Sequence, residues 1–212
     1  TTVPSGFAKD ETARLGVLKT AVSNGISGWR QQGHAKAALT AQELTADHAT
    51  KRIHANLTLD PGPRLRFGPL LVEGESDVRR DRIIDIAGLP EGEVFSPDEI
   101  RLSTERLRRT GAFGAVALSE AESIGPMGTL PITAQITDAP KRRLGFGAEL
   151  STLEGLSVSA YWLHRNFLGG AERLRLEAEV SGIGGNSGGT DYLLGARFER
   201  PATFNEDTDF YA

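Results

Sequence analysis

Hydrophobic and polar residues alternate along four consecutive segments after Pro140. Every second residue is Leu, Val, Ala or aromatic, and the residues between them are mainly Arg, Glu, Ser and Gly. A period of two predicts β-strands with one apolar and one polar face. The predicted strands are Arg142–Ser151, Leu156–Arg165, Arg173–Val180 and Tyr192–Arg200, and Phe204–Tyr211 is interpreted as the start of a fifth.

The first 140 residues combine helical and strand patterns. Apolar residues recur every three or four positions over about Asp10–Gln32, which predicts a helix that ends at Gly33. Ser96 has the features of an N-cap, and the helix that follows it stops at Gly111. The other predicted elements are a strand at Ile53–Leu59, a strand containing Leu65, Phe67 and Leu71, a helix at Asp77–Ala87, and strands at Phe113–Glu120 and Leu130–Thr137.

A helix followed by a hairpin occurs twice at a constant offset. Gly33 and Gly111 lie 78 positions apart, and so do Asp60 and Asp138, each of which ends a predicted hairpin. A constant offset indicates a tandem repeat of one α+β unit. The first copy has no convincing opening strand, so we expect it to be truncated at its N-terminal side.

Composition limits the class of protein. No stretch approaches 18 consecutive apolar residues, so the sequence predicts no transmembrane helix, but alternating strands are able to cross a membrane at the same average hydropathy. The net charge of −4 argues against a nucleic-acid-binding protein. The absence of Cys excludes disulfides, thiol catalysis and Cys-ligated metals.

The alternating segments have two interpretations, a half-buried sheet in a soluble domain and the start of a transmembrane β-barrel. Aromatic residues near strand ends favour the barrel, because such residues form girdles at the membrane interfaces. A barrel needs about eight strands. The chain also begins without Met or a signal peptide, so we expect a piece of a longer protein, cut at both ends. The aromatic residues are Trp162, Phe167, Tyr192 and Phe198.

Two short segments lie on either side of the helix that begins after Ser96. Residues 107–116 resemble the usual helix-to-strand junction of the POTRA domain of the Omp85 superfamily, and residues 86–92 are similar to the segment between the two helices of that domain. The residues that carry the POTRA signature are Leu107, Gly111, Phe113 and Val116.

A second motif is similar to the barrel of the same superfamily. Residues 166–174 resemble the hairpin between the second and third strands of the Omp85 surface-antigen barrel. Within the superfamily, Gly145–Gly155 looks more like the translocation and assembly module subunit TamA than the main assembly factor BamA.

The resemblance implies a fold and a location. The fold class is α+β POTRA domains, with the order β-α-α-β-β, followed by the first antiparallel strands of a transmembrane β-barrel. The expected domains are a truncated POTRA domain over residues 1–63, a second POTRA domain over 64–140, and the first four to five barrel strands over 141–212. POTRA domains would lie in the periplasm and the barrel in the bacterial outer membrane.

The resemblance also implies a function, which is to help insert or secrete β-barrel proteins such as autotransporters. The implied partners are unfolded outer-membrane clients, the lipid bilayer and an inner-membrane protein of the TamB type. The mechanism would be strand addition at exposed sheet edges of the POTRA domains and of the barrel.

The first barrel strand is the predicted strand-addition edge, or lateral gate. Gly145 and Gly147 are expected to weaken its pairing with the next strand and so to allow opening. The predicted edge residues are Leu144, Gly145, Phe146, Gly147, Ala148, Glu149, Leu150 and Ser151.

Two other functions stay open at this point. One is a soluble two-module protein-interaction protein, and the other is a transporter of the same superfamily dedicated to one secreted partner. The complete gene separates them: further alternating strands downstream favour the barrel, and just two POTRA domains favour the dedicated transporter.

Motifs for catalysis and metal binding are missing from the sequence. The four His residues have no metal-ligand spacing, and there is no Gly-x-Ser-x-Gly motif, so the sequence predicts no enzyme, catalytic residue, metal or cofactor. The run Gly182–Thr190 is predicted to be a hairpin loop. Four arginines of one helix are predicted to face solvent, with a protein-docking face as the alternative; they are Arg101, Arg106, Arg108 and Arg109.

Overall fold

The structure is a computed structural model that describes residues 4–8, 11–12, 14–185 and 189–212. Within these ranges, helices and strands follow one another in an α-β-β-β-α-α-β-β order before five further strands. The elements are α1 Leu15–Gln31, β1 Ala38–Asp47, β2 Arg52–Asp60, β3 Arg66–Glu73, α2 Arg80–Ala87, α3 Pro97–Arg109, β4 Phe113–Glu120, a 3-10 turn at Pro126–Gly128, β5 Thr129–Asp138, β6 Arg142–Ser151, β7 Gly155–Arg165, β8 Arg173–Gly184, β9 Asp191–Arg200 and β10 Phe210–Tyr211.

The strands form three sheets. β1 pairs with β2, the second sheet has the order β3-β5-β4, and the third has the order β10-β9-β8-β7-β6. The chain divides into two compact units. The first contains the chain up to Pro69, Pro90–Arg101 and Glu120–Ile132, and the second contains Leu70–Leu89, Leu102–Ser119 and Thr133–Ala212. The domain boundaries expected after residues 63 and 140 stay predictions.

In the first unit, α1 lies against the β1–β2 hairpin. An apolar groove of about 360 Å³ separates them, and Leu18, Ile26 and Leu57 are among the residues that line it. Because the helix is not closely packed, α1 contains no buried residue. The expected half-burial of β2 therefore occurs at Leu57 and Leu59, whereas Ile53 is exposed.

Polar contacts connect the end of α1 and the segment after it with the end of β4 and the residue that follows β4 in the same unit. Arg30 forms an ion pair with Glu120, and Lys36 Nζ donates a hydrogen bond to the carbonyl oxygen of Ala121 at 2.7 Å. Nearby, the rings of Phe67 and Phe95 pack with their centroids 5.4 Å apart. Both rings are fully buried, so this unit has an aromatic core.

The second unit has a core of aliphatic side chains from helices and strands. This core contains most of the apolar residues at the periodic positions of the predicted helices and strands. Their burial supports the expected α+β architecture. Its buried apolar residues before Pro140 are Leu70, Val78, Ile83, Ile86, Ala87, Leu107, Ala112, Phe113, Val116, Ala134 and Ile136.

Helix starts follow local hydrogen bonds. The expected N-cap of α3 is confirmed, because the backbone N–H of Asp98 donates to Ser96 Oγ at 3.3 Å. Helix α2 begins at Arg80, three residues after the expected start at Asp77. Asp138 explains the delay, since its carboxylate accepts hydrogen bonds from Ser76 Oγ at 2.7 Å and from the Asp77 N–H at 2.8 Å.

Helix α1 begins at Leu15, later than the expected start near Asp10, which lies outside the described residues. Residues 186–188 of the expected loop Gly182–Thr190 also lie outside them, and β8 extends into this run as far as Gly184. Among the described helices, none is long and apolar enough to cross a membrane.

Two strand predictions are wrong in detail. In β3, Leu70 is buried and Leu71 is exposed, so the buried face differs from the expected one at this end of the strand. The fifth alternating strand is only β10, because the chain from Pro201 to Asp209 forms turns instead. The Thr203 N–H donates to the Thr208 carbonyl at 2.8 Å and closes this loop.

The tandem repeat is visible in the structure. Gly33 and Gly111 follow α1 and α3, and both have positive φ angles, of 99° and 67°. Asp60 and Asp138 are the last residues of β2 and β5. In the described part of the chain no strand precedes α1, and the truncation of the first copy stays a prediction.

Candidate strand-addition edge

The eight residues of the expected strand-addition edge, Leu144 to Ser151, all lie in β6. This strand forms one of the two edges of the five-stranded sheet, and among the described strands it pairs with β7 alone. One side of its backbone therefore presents N–H and C=O groups that no described strand satisfies, which is the geometric condition for strand addition. The role of this edge stays a prediction.

Strand register places the alternating apolar residues of β6–β9 on one face. Across the sheet, Leu144 lies opposite Trp162, Trp162 opposite Leu176, and Leu176 opposite Ala196. The next row of the same face contains Phe146, Ala160, Ala178 and Leu194. Phe146 is 82% exposed and Leu194 is 86% exposed. A continuous apolar surface of this kind marks a face that lipid or protein covers.

Aromatic residues lie near the ends of the strands on this face. Trp162 and Phe198 lie near the end of the sheet at which the β7–β8 turn joins, whereas Tyr192 lies opposite Val180 near the other end. The expected placement of aromatic residues near strand ends is confirmed. Such a distribution is typical of an apolar band with an aromatic girdle at each border.

Charged residues pair on the opposite, polar face. Arg175 Nε lies 3.0 Å from Glu177 Oε2, and Glu199 contacts both Arg173 at 3.3 Å and Arg197 at 2.9 Å. Only the Arg173–Glu199 pair joins two strands, β8 and β9, whereas the other two pairs each lie within one strand. Opposite charges on neighbouring strands stabilise the sheet and neutralise one another.

The two glycines of β6 lie on the polar face, opposite larger residues of β7. Gly145 faces Tyr161, and Gly147 faces Ser159. A Cβ atom at Gly145 would lie 2.5 Å from Cζ of Tyr161, so the tyrosine ring occupies the space that the glycine leaves. The β6–β7 register runs from Arg142 to Ser151 without a shift. The glycines therefore make room for side chains of the neighbouring strand.

The POTRA signature residues form one compact turn in the second unit. Leu107, Phe113 and Val116 are buried, and Gly111 adopts φ = 67° between helix α3 and strand β4. Thr110 completes the turn, because its hydroxyl donates to the Leu107 carbonyl at 2.8 Å and accepts from the Ala112 N–H at 3.1 Å. A left-handed backbone at this point favours glycine.

The three-stranded sheet has β3 and β4 as its edges. A groove of about 580 Å³ runs along β4, and the small residues Gly114, Ala115 and Ala117 are part of its lining. Arg108 reaches this strand from α3 and donates a hydrogen bond to the Val116 carbonyl at 2.9 Å. Arg108 is therefore not simply solvated, in contrast to the sequence-based expectation.

The helices of the second unit contact the turn that joins β7 to β8. The backbone N–H of Arg79 donates to the Gly169 carbonyl at 2.9 Å, and its guanidinium donates to the Leu168 carbonyl at 3.0 Å. Arg82 is buried and donates to the Pro201 carbonyl at 2.8 Å. The guanidinium groups of Arg79 and Arg82 thus bind two different connections of the sheet. Arg79 binds the β7–β8 turn, and Arg82 binds Pro201, which follows β9.

Arg106 makes the strongest of these contacts. Its side chain is only 10% exposed, and two of its nitrogens each lie 2.8 Å from a carboxylate oxygen of Asp207. This hydrogen-bonded ion pair lowers the pKa of Asp207 below its ordinary value. Arg109 lies 3.6 Å from Asp209 in the same loop. The expectation of a solvated arginine face is wrong for Arg106, because its side chain binds this chain's own 201–209 loop. The alternative of a protein-docking face stays a prediction.

The β7–β8 turn has a buried carboxylate at its centre. Glu172 accepts hydrogen bonds from the Gly170 N–H at 2.8 Å and from the Leu168 N–H at 3.3 Å. Asn166 supports the same turn, because its side-chain oxygen accepts from the Ala171 N–H at 3.0 Å. These side chains explain why residues 166–172 form an ordered turn although several of them have positive φ angles.

Titratable residues do not gather into a metal-binding cluster within the described ranges. His34 contacts the Gly62 carbonyl at 2.8 Å in the first unit, and His164 lies among Trp162 and Phe167 on the apolar face. The two imidazoles therefore lie in different places, with His34 at a backbone carbonyl and His164 between aromatic rings.

The fold defines a class of protein in which a POTRA-type α+β region is followed by an antiparallel sheet with one apolar and one polar face. A particular solved structure has this arrangement. BamA from Haemophilus ducreyi lacking POTRA domains 1–3 matches 92% of this chain with a TM-score of 0.74 and 19% identity. This chain covers 35% of that one. No protein-family model and no curated protein matches the sequence.

Two other solved structures match parts of the same arrangement. BamA POTRA3–5 from Haemophilus influenzae matches 63% of this chain and is covered over 52% of its own length, with a TM-score of 0.55 and 20% identity. CdiB from Escherichia coli matches 91% of this chain and is covered over 34%, with a TM-score of 0.56 and 15% identity. The chain thus spans between about a third and a half of these structures.

These similarities confirm the expected fold class, which is an α+β POTRA arrangement followed by the first antiparallel strands of a barrel of the BamA type. They support the resemblance to the Omp85 superfamily at the level of the fold. The narrower resemblance to TamA stays a prediction.

Proposed function

We propose that this chain is part of an outer-membrane assembly or translocation protein of the Omp85 type. Its POTRA region lies in the periplasm, and its five-stranded sheet lies in the outer membrane. The protein helps to insert or secrete β-barrel proteins such as autotransporters. The observation that carries the proposal is strand β6, an edge strand with one backbone side that no described strand pairs, in a sheet whose apolar face is exposed.

The proposed chemistry is hydrogen bonding between backbones, without a covalent step. An incoming client strand pairs with the open side of β6, and its side chains alternate between the apolar and the polar face. Backbone pairing tolerates many client sequences. The edge of β4, with its groove and small side chains, is a second sheet edge with which a client strand pairs in the POTRA region.

The proposal includes three kinds of partner. Unfolded outer-membrane proteins are the clients, and lipid covers the apolar face that includes Phe146 and Leu194. An inner-membrane protein of the TamB type is the proposed periplasmic partner. The protein is neither an enzyme nor a nucleic-acid-binding protein in this proposal.

Site-specific photocross-linking in the complete membrane-embedded protein tests the proposal. A photoreactive residue replaces Ala148 in β6, and the matched control replaces Ala178, which lies on the same face in the central strand β8. We expect newly synthesised outer-membrane proteins to form adducts several times more often at position 148. Equal labelling at both positions contradicts strand addition at β6.

The same experiment separates the alternative functions. Adducts with many different clients support a general assembly factor. Adducts with a single secreted protein support a dedicated transporter of the same superfamily. Recovery of the complete protein from the soluble fraction, without heat-modifiable migration in gels, contradicts the membrane assignment and favours a soluble interaction protein.

A further inference from the structure

One row of residues crosses the polar face of the sheet from β6 to β9. Gly145 lies opposite Tyr161, Tyr161 opposite Glu177, and Glu177 opposite Gly195. The row therefore has two large side chains in the middle and a glycine at each end. Residues that lie directly opposite each other on one face of a sheet are close enough for their side chains to interact.

The ring of Tyr161 lies over Gly145. A Cβ atom built on Gly145 would be 2.5 Å from Cζ and 2.8 Å from the hydroxyl oxygen of Tyr161. These distances are far below van der Waals contact, so only glycine leaves room for the ring in this position. An aromatic side chain that covers a glycine on the next strand restores the packing that the glycine lacks.

Arg175 contacts the same ring. Its guanidinium carbon lies 4.3 Å from the ring centroid of Tyr161, which is within the range of a cation–π interaction. Arg175 is in turn bound to Glu177 at 3.0 Å. The ring therefore contacts the Gly145 backbone in β6 and a charged pair in β8, and it links three strands.

We infer that Tyr161 is a positioning residue that keeps β6 paired with β7 while the other side of β6 accepts a client strand. This inference rests on the proposed function. In this inference Gly145 does not weaken the β6–β7 pairing. Instead, it leaves the space that the Tyr161 ring occupies. The β6–β7 hairpin then acts as one unit, and only the open edge of β6 exchanges partners.

Hydrogen exchange in the complete protein in lipid bilayers tests the link to β6. Tyr161→Ala should accelerate exchange of the amides in residues 142–151 by about three- to thirtyfold, because it removes a cross-strand aromatic contact and a cation–π contact. Tyr161→Phe keeps the ring and should leave exchange nearly unchanged. Tyr192→Ala, on the apolar face of the same sheet, is the matched control. Unchanged exchange in β6 of folded Tyr161→Ala overturns the inference.

A reversible cross-link provides a second test that does not depend on Tyr161→Ala folding normally. Gly147 and Ser159 lie opposite each other, and a Cβ atom at Gly147 would be 2.7 Å from Ser159 Oγ, so the double variant Gly147→Cys, Ser159→Cys is placed to form a disulfide. The chain has no native Cys that would compete. The disulfide joins β6 permanently to β7, and reduction releases it.

The cross-linked protein should form the same client adducts at position 148 as the reduced protein. If the disulfide abolishes the adducts and reduction restores them, β6 must leave β7 during function, and the inference is wrong. In the Tyr161→Ala background, the disulfide should restore adducts that the substitution has reduced. Absence of adducts in the otherwise unmodified protein contradicts the proposed function instead, and the exchange experiment still decides the role of Tyr161.

Discussion

Strands β5 and β9 have the same alternating sequence pattern and opposite surroundings. In β5, Leu130, Ile132 and Ala134 are completely buried, whereas in β9 Tyr192 is 77% exposed and Leu194 is 86% exposed. Alternation thus defines which side chains share a face, and it does not define what covers that face. Neighbouring segments carry that information: α-helices lie among the strands before Pro140, whereas the described residues of 142–211 contain no helix.

The largest expected effect concerns the buried strand. Ile132→Ala should lower the free energy of unfolding by about 2–5 kcal/mol, because it removes buried methyl groups and leaves a cavity. The loss is measured by urea unfolding of the complete protein, with the hydrogen-exchange protection of the residues before Pro140 as the readout. Leu71→Ala, at an exposed apolar position, is the control and should change stability by about 0.5 kcal/mol or less. Similar losses for both variants contradict the contrast between buried and exposed positions.

A charge on each face of β9 tests what covers the exposed face. Leu194→Arg should destabilise the complete protein in lipid bilayers by about 2–4 kcal/mol, since Leu194 belongs to a central row of the apolar face. Leu193→Arg is the matched control, because Leu193 faces the polar side and lies opposite Glu179. Denaturant unfolding from liposomes measures both. Equal destabilisation by the two variants means that lipid does not cover this face.

The smallest effect concerns the loop that follows β9. Arg106→Gln should accelerate hydrogen exchange in residues 201–209 several-fold, since it removes the paired hydrogen bonds to Asp207. Arg101→Gln is the control, because Arg101 lies on the same helix with a more exposed side chain. Equal acceleration by both variants contradicts a specific role for Arg106.

The Arg106 contact also has a defined pH dependence. The folded-state pKa of Asp207 is lower than the ordinary value of 3.8, because its carboxylate accepts hydrogen bonds from Arg106. A lowered pKa means that the contact stabilises the folded state above pH 3.8 and is lost as the pH falls through the folded-state pKa. Protection of residues 201–209 by Arg106 should therefore be the same at pH 5 and pH 8 and should decline only in stronger acid. A decline between pH 8 and pH 5 contradicts this assignment.

The apolar face of β6 to β9 and the bounds of several strands could be predicted from sequence, because both depend on local alternation. β4 and β6 have the expected ends, and the apolar residues of β6 to β9 share one face as expected. The N-cap at Ser96 was also predictable, since the bond joins residues two positions apart. Local signals of this kind need no knowledge of the rest of the chain.

Contacts between distant residues account for two of the predictions that were wrong. Arg106 lies 101 positions before Asp207, so the spacing of charges along α3 indicated only a solvated face. The delayed start of α2 has the same origin, because Asp138 is 61 positions after Asp77. For the candidate edge, alternation indicated the strand, but the space over Gly145 is determined by Tyr161 of the neighbouring strand.

The carboxylate of Glu172 fixes the shape of the β7–β8 turn through hydrogen bonds to backbone N–H groups. Since the carboxylate binds N–H groups of the same turn, the carbonyls of Leu168 and Gly169 stay available to Arg79. The turn is thus a preformed connector whose shape is encoded within seven residues. The turn therefore offers two fixed carbonyl oxygens to one arginine, and its own backbone N–H groups need no partner from the helices.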